Sequence, residues 1–375
     1  MNKLISGTIR WFEKASRHFI EEIKKNIIIY MVIFISGYAL YLRLIKLAGH
    51  KLWGDELSQI SYAQMPFIDF IKNMPRIEFC SYISLNAILT YPFIRLFLHN
   101  KWLLTIPQLI STILGFYLLY LVCKLHFKTI WGYLITFTVF CFNTTLIWHA
   151  TEIRPYAILP TLALGVFYVS QVLTGQVVGL KKKWLLGAFL VLAIWFHLYG
   201  IVMVFLCLTY SFAEKLHSPV FGAALKKNKL LLAAVFLIAM PLWLFSIFGP
   251  HFPYPRISCE FDFIPNPIIN ISGFVKAIFG NLLGFKKMYF LFIGVLFPFF
   301  ISYKERFSQI GFLFITVIIP IQLIFLSDLH SGYYFVQRQF IWVMPFFAFF
   351  LGWVWDSFFM LLKGKSIKLR KAAAK

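Results

Sequence analysis

Apolar residues fall in long blocks along this chain, separated by short stretches that carry most of its charge. Blocks near 27–48, 102–123, 129–148, 155–174, 184–197, 199–214, 230–248, 288–303, 307–327 and 339–362 recur at lengths near those needed to cross hydrocarbon, for which a helix uses ~20 residues. Their pattern predicts an all-α polytopic membrane protein with about ten transmembrane helices. Residues 184–212 are long for one span and short for two, and a break near Gly200 makes them a hairpin. Residues 79–98 are apolar enough to cross but carry Asn86, Pro92 and Arg95, and are read as a juxtamembrane or re-entrant helix instead.

Ahead of the first block, Leu4, Thr8, Trp11, Phe12, Ala15, Phe19 and Ile23 recur at helical spacing with Lys and Arg between them. That spacing predicts an amphipathic helix over 1–26, lying on the cytoplasmic membrane face. The first block is too long for a signal-peptide core and has no small-residue cleavage site, so it is expected to stay as the first span.

Composition agrees: 60% hydrophobic residues and a mean hydropathy of +0.78 exclude a soluble globular domain. A net charge of +22 would suit nucleic acid. The cations, however, gather in short clusters between apolar blocks, as in cytoplasmic loops. With 79–98 outside the span count and 184–212 a hairpin, clusters at Lys3–Lys25, Lys124/Lys128, Lys181–Lys183, Lys215–Lys229, Lys304/Arg306 and beyond Lys363 all fall on one side, with most of the 36 Lys and Arg. Both termini are then cytoplasmic, residues 363–375 form a basic tail, and the transmembrane unit is 27–362. External segments 49–101 and 249–287 wall a site facing the outside or periplasm of the plasma (inner) membrane. Apolar-sided stretches in each, Ile60–Ile71 with 79–98 and Phe274–Phe285, are expected on the outer leaflet.

Only 14 residues are Asp or Glu, so their placement is informative. Asp55 and Glu56 are adjacent just past the first block. Thr151-Glu152-Ile153-Arg154-Pro155-Tyr156 form a tight turn between two blocks. His197-Leu198-Tyr199-Gly200 sit at the hairpin tip, and Gln337-Arg338 enter the last block, with Pro345 following. All four converge on the outer face, where ionisable groups near membrane depth are costly and tend to be functional or paired. A carboxylate pair there suits general-base chemistry on a lipid-held substrate. The five cysteines show no CxxC or other metal spacing, and Cys80 and Cys259 can both face outward as a possible disulfide.

In order and spacing, Asp55-Glu56, Glu152-x-Arg154-Pro155-Tyr156, His197-x-Tyr199-Gly200 and Arg338 with Pro345 resemble the GT-C membrane glycosyltransferases, over about residues 27–350. The nearest branch holds the protein O-mannosyltransferases and the lipid A aminoarabinose transferases, of the glycosyltransferase family 39 type. The resemblance implies a GT-C-like bundle with external juxtamembrane helices, and an outer-leaflet polyprenyl-phosphate sugar (undecaprenyl or dolichyl type) as donor. It also implies a catalytic base at Asp55 with Glu56 orienting or binding, though which of the two is the base stays open. Arg154 and Arg338 are the candidates for the donor phosphate, because Arg suits bidentate contact. Glu152, Tyr156, His197 and Tyr199 would shape the pocket. The hydroxyl acceptor would be a glycan, a lipid or a protein, and no nucleic acid is a partner. No cofactor is implied; Mg²⁺ or Mn²⁺ is possible, but a single phosphate offers a metal little to bridge.

The family's His-Pro-Pro stretch is absent, with Phe79-Cys80-Ser81-Tyr82-Ile83 in its region, and Gln339 stands where Tyr is common. These departures weaken the carry-over most at acceptor recognition. A lipid-linked sugar flippase or transporter fits the same composition, but would place charge near the midplane, often in paired halves. A surface-polysaccharide polymerase or ligase shares the chemistry and would need a larger external loop.

Overall fold

The computed structural model describes residues 2–77, 85–175, 179–197, 199–216, 219–248, 306–323 and 337–373. Among them every regular element is helical. The chain runs α1 (Asn2–Gly49), α2 (Gly54–Ala63), α3 (Phe67–Ile77), α4 (Leu85–Phe97), α5 (Lys101–Leu104), α6 (Ile106–His126), α7 (Ile130–Phe142), α8 (Thr144–His149), a 3₁₀ turn (Pro155–Ala157), α9 (Leu159–Gly175), α10 (Leu180–Phe196), α11 (Tyr199–Lys215) and α12 (Pro219–Phe248). Then come α13 (Arg306–Leu313), which continues into a π-helical turn (Phe314–Ile318), a 3₁₀ segment (Gln337–Val343) and α14 (Met344–Ala373).

Among the described residues, three helical stretches are long and apolar enough to cross a membrane: Asn26–Gly49, Ile106–His126 and Phe340–Gly364. Shorter apolar helices, including Leu85–Phe97, Ile130–Phe142, Leu159–Gly175 and Ser308–Leu323, stand beside them. The described residues therefore form an all-helical chain of membrane type. The block at 288–303, the segment 249–287 with Phe274–Phe285, and Cys80 and Cys259 lie outside the described residues.

Several elements differ from the pattern read along the chain. Residues 1–26 are not a separate helix, since α1 is continuous from Asn2 to Gly49. At the other end α14 carries on through most of the basic tail, to Ala373. The block 129–148 is two helices, because the Asn143 side chain accepts from Leu146 N at 2.9 Å and starts α8 as an N-cap. The block 102–123 likewise breaks at Thr105, ahead of Pro107. Within 79–98, helix α4 has 13 residues. At 1.5 Å per residue that is ~20 Å, short of a hydrocarbon core of ~30 Å.

The bundle is built on close helix contacts. α1 turns Ile35, Ala39, Arg43 and Leu47 inward at four-residue spacing, while Ile33, Phe34, Tyr38, Tyr41 and Ile45 are exposed. α7 and α14 pack across small residues: a Cβ added at Gly352 would lie 1.8 Å from Thr136 Oγ1 and 2.6 Å from the Gly132 carbonyl. Without a hydrophobic drive between helices in lipid, such small-residue seams supply van der Waals contact. Phe167, Tyr210, Phe312, Phe346 and Phe349 fill the centre between α9, α11, α13 and α14, with rings 5.0–6.3 Å apart.

Polar residues separate to the two ends. At one end Asp356 accepts from Lys128 N, Thr129 N and the Thr129 hydroxyl at 2.6–3.2 Å, capping the start of α7. Gln171 donates to Ser211 and Glu214 there, and Asn228 to the Leu173 carbonyl. The opposite end holds the Gly49 terminus of α1, the starts of α6, α9 and α11, and the 3₁₀ segment Gln337–Val343.

Candidate functional site

The first turn of α2 explains why Asp55 and Glu56 are adjacent. They occupy its second and third positions, where carboxylates favour the positive helix terminus. Glu56 Oε2 accepts from Trp53 N at 3.2 Å, the return arm of a capping box. The same oxygen is 2.9 Å from His50 Nε2, while Oε1 accepts from Ile153 N at 2.9 Å. Glu56 is 0% exposed, so its carboxylate is wholly taken up in joining α1, α2 and the 151–156 turn. Asp55, one residue earlier, is half-buried.

Ile153 fixes that turn from both faces of its peptide. Its carbonyl accepts from Gln108 Nε2 at 3.1 Å, and its side chain is buried with Ile60, Ala63, Ile94 and Leu104. The turn thus joins α6 and the α2–α4 cap. In the cap, Gln59 donates to Thr90, and Tyr91 and Arg95 reach the Met65 and Gln64 carbonyls. Pro155 then opens the 3₁₀ turn, with Arg154 at its N-cap in extended conformation.

Glu152 is buried and pairs with His149, its Oε2 lying 2.9 Å from Nδ1, without hydrogen-bond alignment. Lys46 on α1 interacts electrostatically with Glu152 and stands 3.2 Å from the Trp148 ring centroid. Tyr156 meets the His149 ring edge-on at 6.0 Å.

The hairpin tip adjoins the turn. α10 and α11 break at His197, whose backbone is extended, and α11 resumes at Tyr199. Here the helices come so close that a Cβ on Gly200 would lie 2.0 Å from the Ala193 carbonyl. His197 Nδ1 accepts from Tyr199 N at 3.2 Å, and the His197 ring interacts electrostatically with Arg154. Tyr199 lies 6.3 Å from the ring of Trp342, in the 3₁₀ segment that also contains Arg338. The Arg338 side chain is outside the described residues.

Glu56 hydrogen-bonds to Ile153 and so joins the first two clusters; Arg154 acts on His197 through its charge, and Tyr199 stands near the segment that carries the fourth cluster. Arg43, His50, Gln108 and His149 belong to the same region and were not singled out by sequence. For Arg43 there was a signal, an arginine inside an apolar block on the Ile35–Leu47 stripe. His149 had a weaker one, standing three residues before Glu152. Among the described residues, no three metal-ligating side chains come together.

Comparison with protein-family models, curated proteins and solved structures returns no match.

Proposed function

We propose that this chain is an inverting glycosyltransferase, moving a sugar from a polyprenyl phosphate to a hydroxyl acceptor at the Gly49 end of the bundle. The observation that supports this most is the Glu56 link, which ties the helix carrying Asp55 to the turn carrying Glu152, Arg154 and Tyr156. Glu56 is held by three partners, and Asp55, beside it on the first turn of α2, takes the role of base. It takes the proton of the acceptor hydroxyl as that oxygen bonds to the anomeric carbon from the face opposite the phosphate. The bond from anomeric carbon to phosphate oxygen breaks, and its electron pair leaves with the polyprenyl phosphate. The charge that develops calls for fixed cations, supplied by Arg154 and Arg338. His197 and Tyr199, beside Arg154, shape the sugar or phosphate pocket.

About ten spans in a GT-C-like arrangement, in the plasma membrane, fit this reading. Lys124, Lys128, Lys181–Lys183, Lys215 and Lys226–Lys229 belong to the Asp356 end of the bundle, opposite the site. The positive-inside rule then makes that end cytoplasmic and turns the site outward.

The test uses purified protein in nanodiscs with radiolabelled polyprenyl-phosphate sugars and a membrane extract as acceptor source. Asp55→Asn is expected to abolish label transfer to a new product and leave donor binding within a few-fold of wild type. Donor binding without turnover, indifferent to Asp55→Asn, would overturn the reading in favour of a flippase.

A further inference from the structure

Arg43 is a buried cation that the proposed mechanism leaves unused. It is 2% exposed, on the inward stripe of α1, six residues before Gly49. At 1.5 Å per residue that places it about 9 Å inside the helix end. Its Nη1 donates to the Ala39 and Cys141 carbonyls at 2.9 and 3.1 Å, and the Phe116 ring centroid lies 5.4 Å from the guanidinium. Its Nε finds no acceptor among the described residues, and no described carboxylate lies within ion-pair distance. Two carbonyl dipoles and a ring soften the charge without cancelling it. A buried charge with no counter-charge is costly, and at membrane depth such groups are almost always paired.

Space for a counter-charge lies beside it. Arg43 lines a recess of about 20 Å³ next to the 151–156 turn. A water-sized group needs roughly 10–15 Å³ of such space, so the recess holds one small ion and excludes a tetrahedral oxyanion. No acidic side chain is among its described lining residues, which excludes a cation. Thr112 and Thr161 line it, but their hydroxyls already donate to the Gln108 and Ser111 carbonyls, and Arg43 is left as the charged donor. Phe140, Leu146, Ala157 and Ile341 make much of the remaining wall apolar.

We propose that this recess binds a monatomic anion, chloride by its chemistry, as the counter-ion of Arg43. A water would fill the same space but bring no charge. The ion has a structural task there. Its neighbours come from α1, α6, α7, α8, α9 and the 3₁₀ segment Gln337–Val343, so it joins the elements that hold the 151–156 turn. Because it binds only where these elements are assembled, it stabilises the folded bundle as it fills the site. This holds whether or not the chain transfers a sugar.

The test follows chloride binding and Tm of the full chain in detergent at fixed ionic strength, with chloride replacing gluconate. Wild type is expected to bind about one radiolabelled chloride per chain, competed by bromide and not by sulfate, with a Tm that rises and then levels off. Arg43→Met, which keeps the stem and removes the charge, should lose tenfold or more in chloride affinity. Its Tm should be flat in chloride, so the difference between the two proteins moves in favour of wild type as chloride rises. A recess filled by water alone gives the same difference at every chloride concentration, and that result would overturn the proposal. So would chloride binding of equal strength in both proteins, or sulfate competing as well as bromide. If Arg43→Met does not fold, Arg43→Lys keeps the charge without the planar fork and should bind chloride several-fold more weakly. Unchanged affinity in Arg43→Lys would count equally against the site.

Discussion

Glu56 receives two backbone N–H groups and stands against His50, and no neutral side chain can replace all of that. Glu56→Gln turns an NH₂ group toward at least one donor, and an unsatisfied donor in a charged network costs about 1.5–3 kcal/mol. The expected result is a clear fall in Tm in detergent, with transfer reduced in proportion to folded protein. Asp55→Asn should leave Tm within a degree or so and remove transfer. The reverse pattern, a stable Glu56→Gln that is inactive, would make Glu56 the base. The adjacency of these acids was plain in the sequence, but their division of labour was not. Asp55 and Glu56 differ only in register on α2, and that register was settled by the N-terminal capping of Trp53 rather than by any motif. His50 and Gln108 were invisible for a related reason. A lone His after an apolar block and a Gln inside one carry no spacing signal; Gln108 meets the Ile153 carbonyl, and His50 stands against the Glu56 carboxylate that takes the Ile153 N–H.

Helix existence followed hydropathy closely, and helix breaks did not. A window average over 129–148 sees one apolar block, whereas Asn143 splits it by offering its side chain to Leu146 N. Asn followed by Thr144 and Thr145 is the available clue, since Asn is among the best N-caps. The hairpin in 184–212 was legible because two helices of 17 residues leave only the His197 region between them. The α7–α14 seam could not be read, as nothing in a single sequence pairs Gly132 and Thr136 with Gly352. That seam yields a prediction: Gly352→Ala places a methyl against Thr136 and the Gly132 backbone. Overpacking of this kind costs about 1–3 kcal/mol, measurable as a lowered Tm. Gly37→Ala, a control in open space, should show no loss.

At the scale of the whole molecule, the bundle puts Asp55, Glu56 and Glu152 at one end and Lys124, Lys128, Lys181–Lys183 and Lys215 at the other, the separation that the charge argument uses. Membrane sidedness follows from it as a prediction, checked by labelling single cysteines in a cysteine-free background with an impermeant thiol reagent on intact cells. Lys51 and Lys182 are both exposed and belong to opposite ends, so Lys51→Cys should react and Lys182→Cys should not. Thr151, although at the centre of the site, is fully buried and would mislead as a reporter. The carboxylate of Asp356 closes the start of α7 across a separation of 227 residues. During synthesis at ~5–20 residues per second, the α7 terminus therefore waits tens of seconds for a partner that does not yet exist. Ribosome-bound intermediates that stop short of α14 should expose the 127–132 region to protease, and full-length Asp356→Ala should reproduce that sensitivity. Protection before α14 emerges would show that α7 finds another cap. Birth order thus makes the last helix the clasp of an early one.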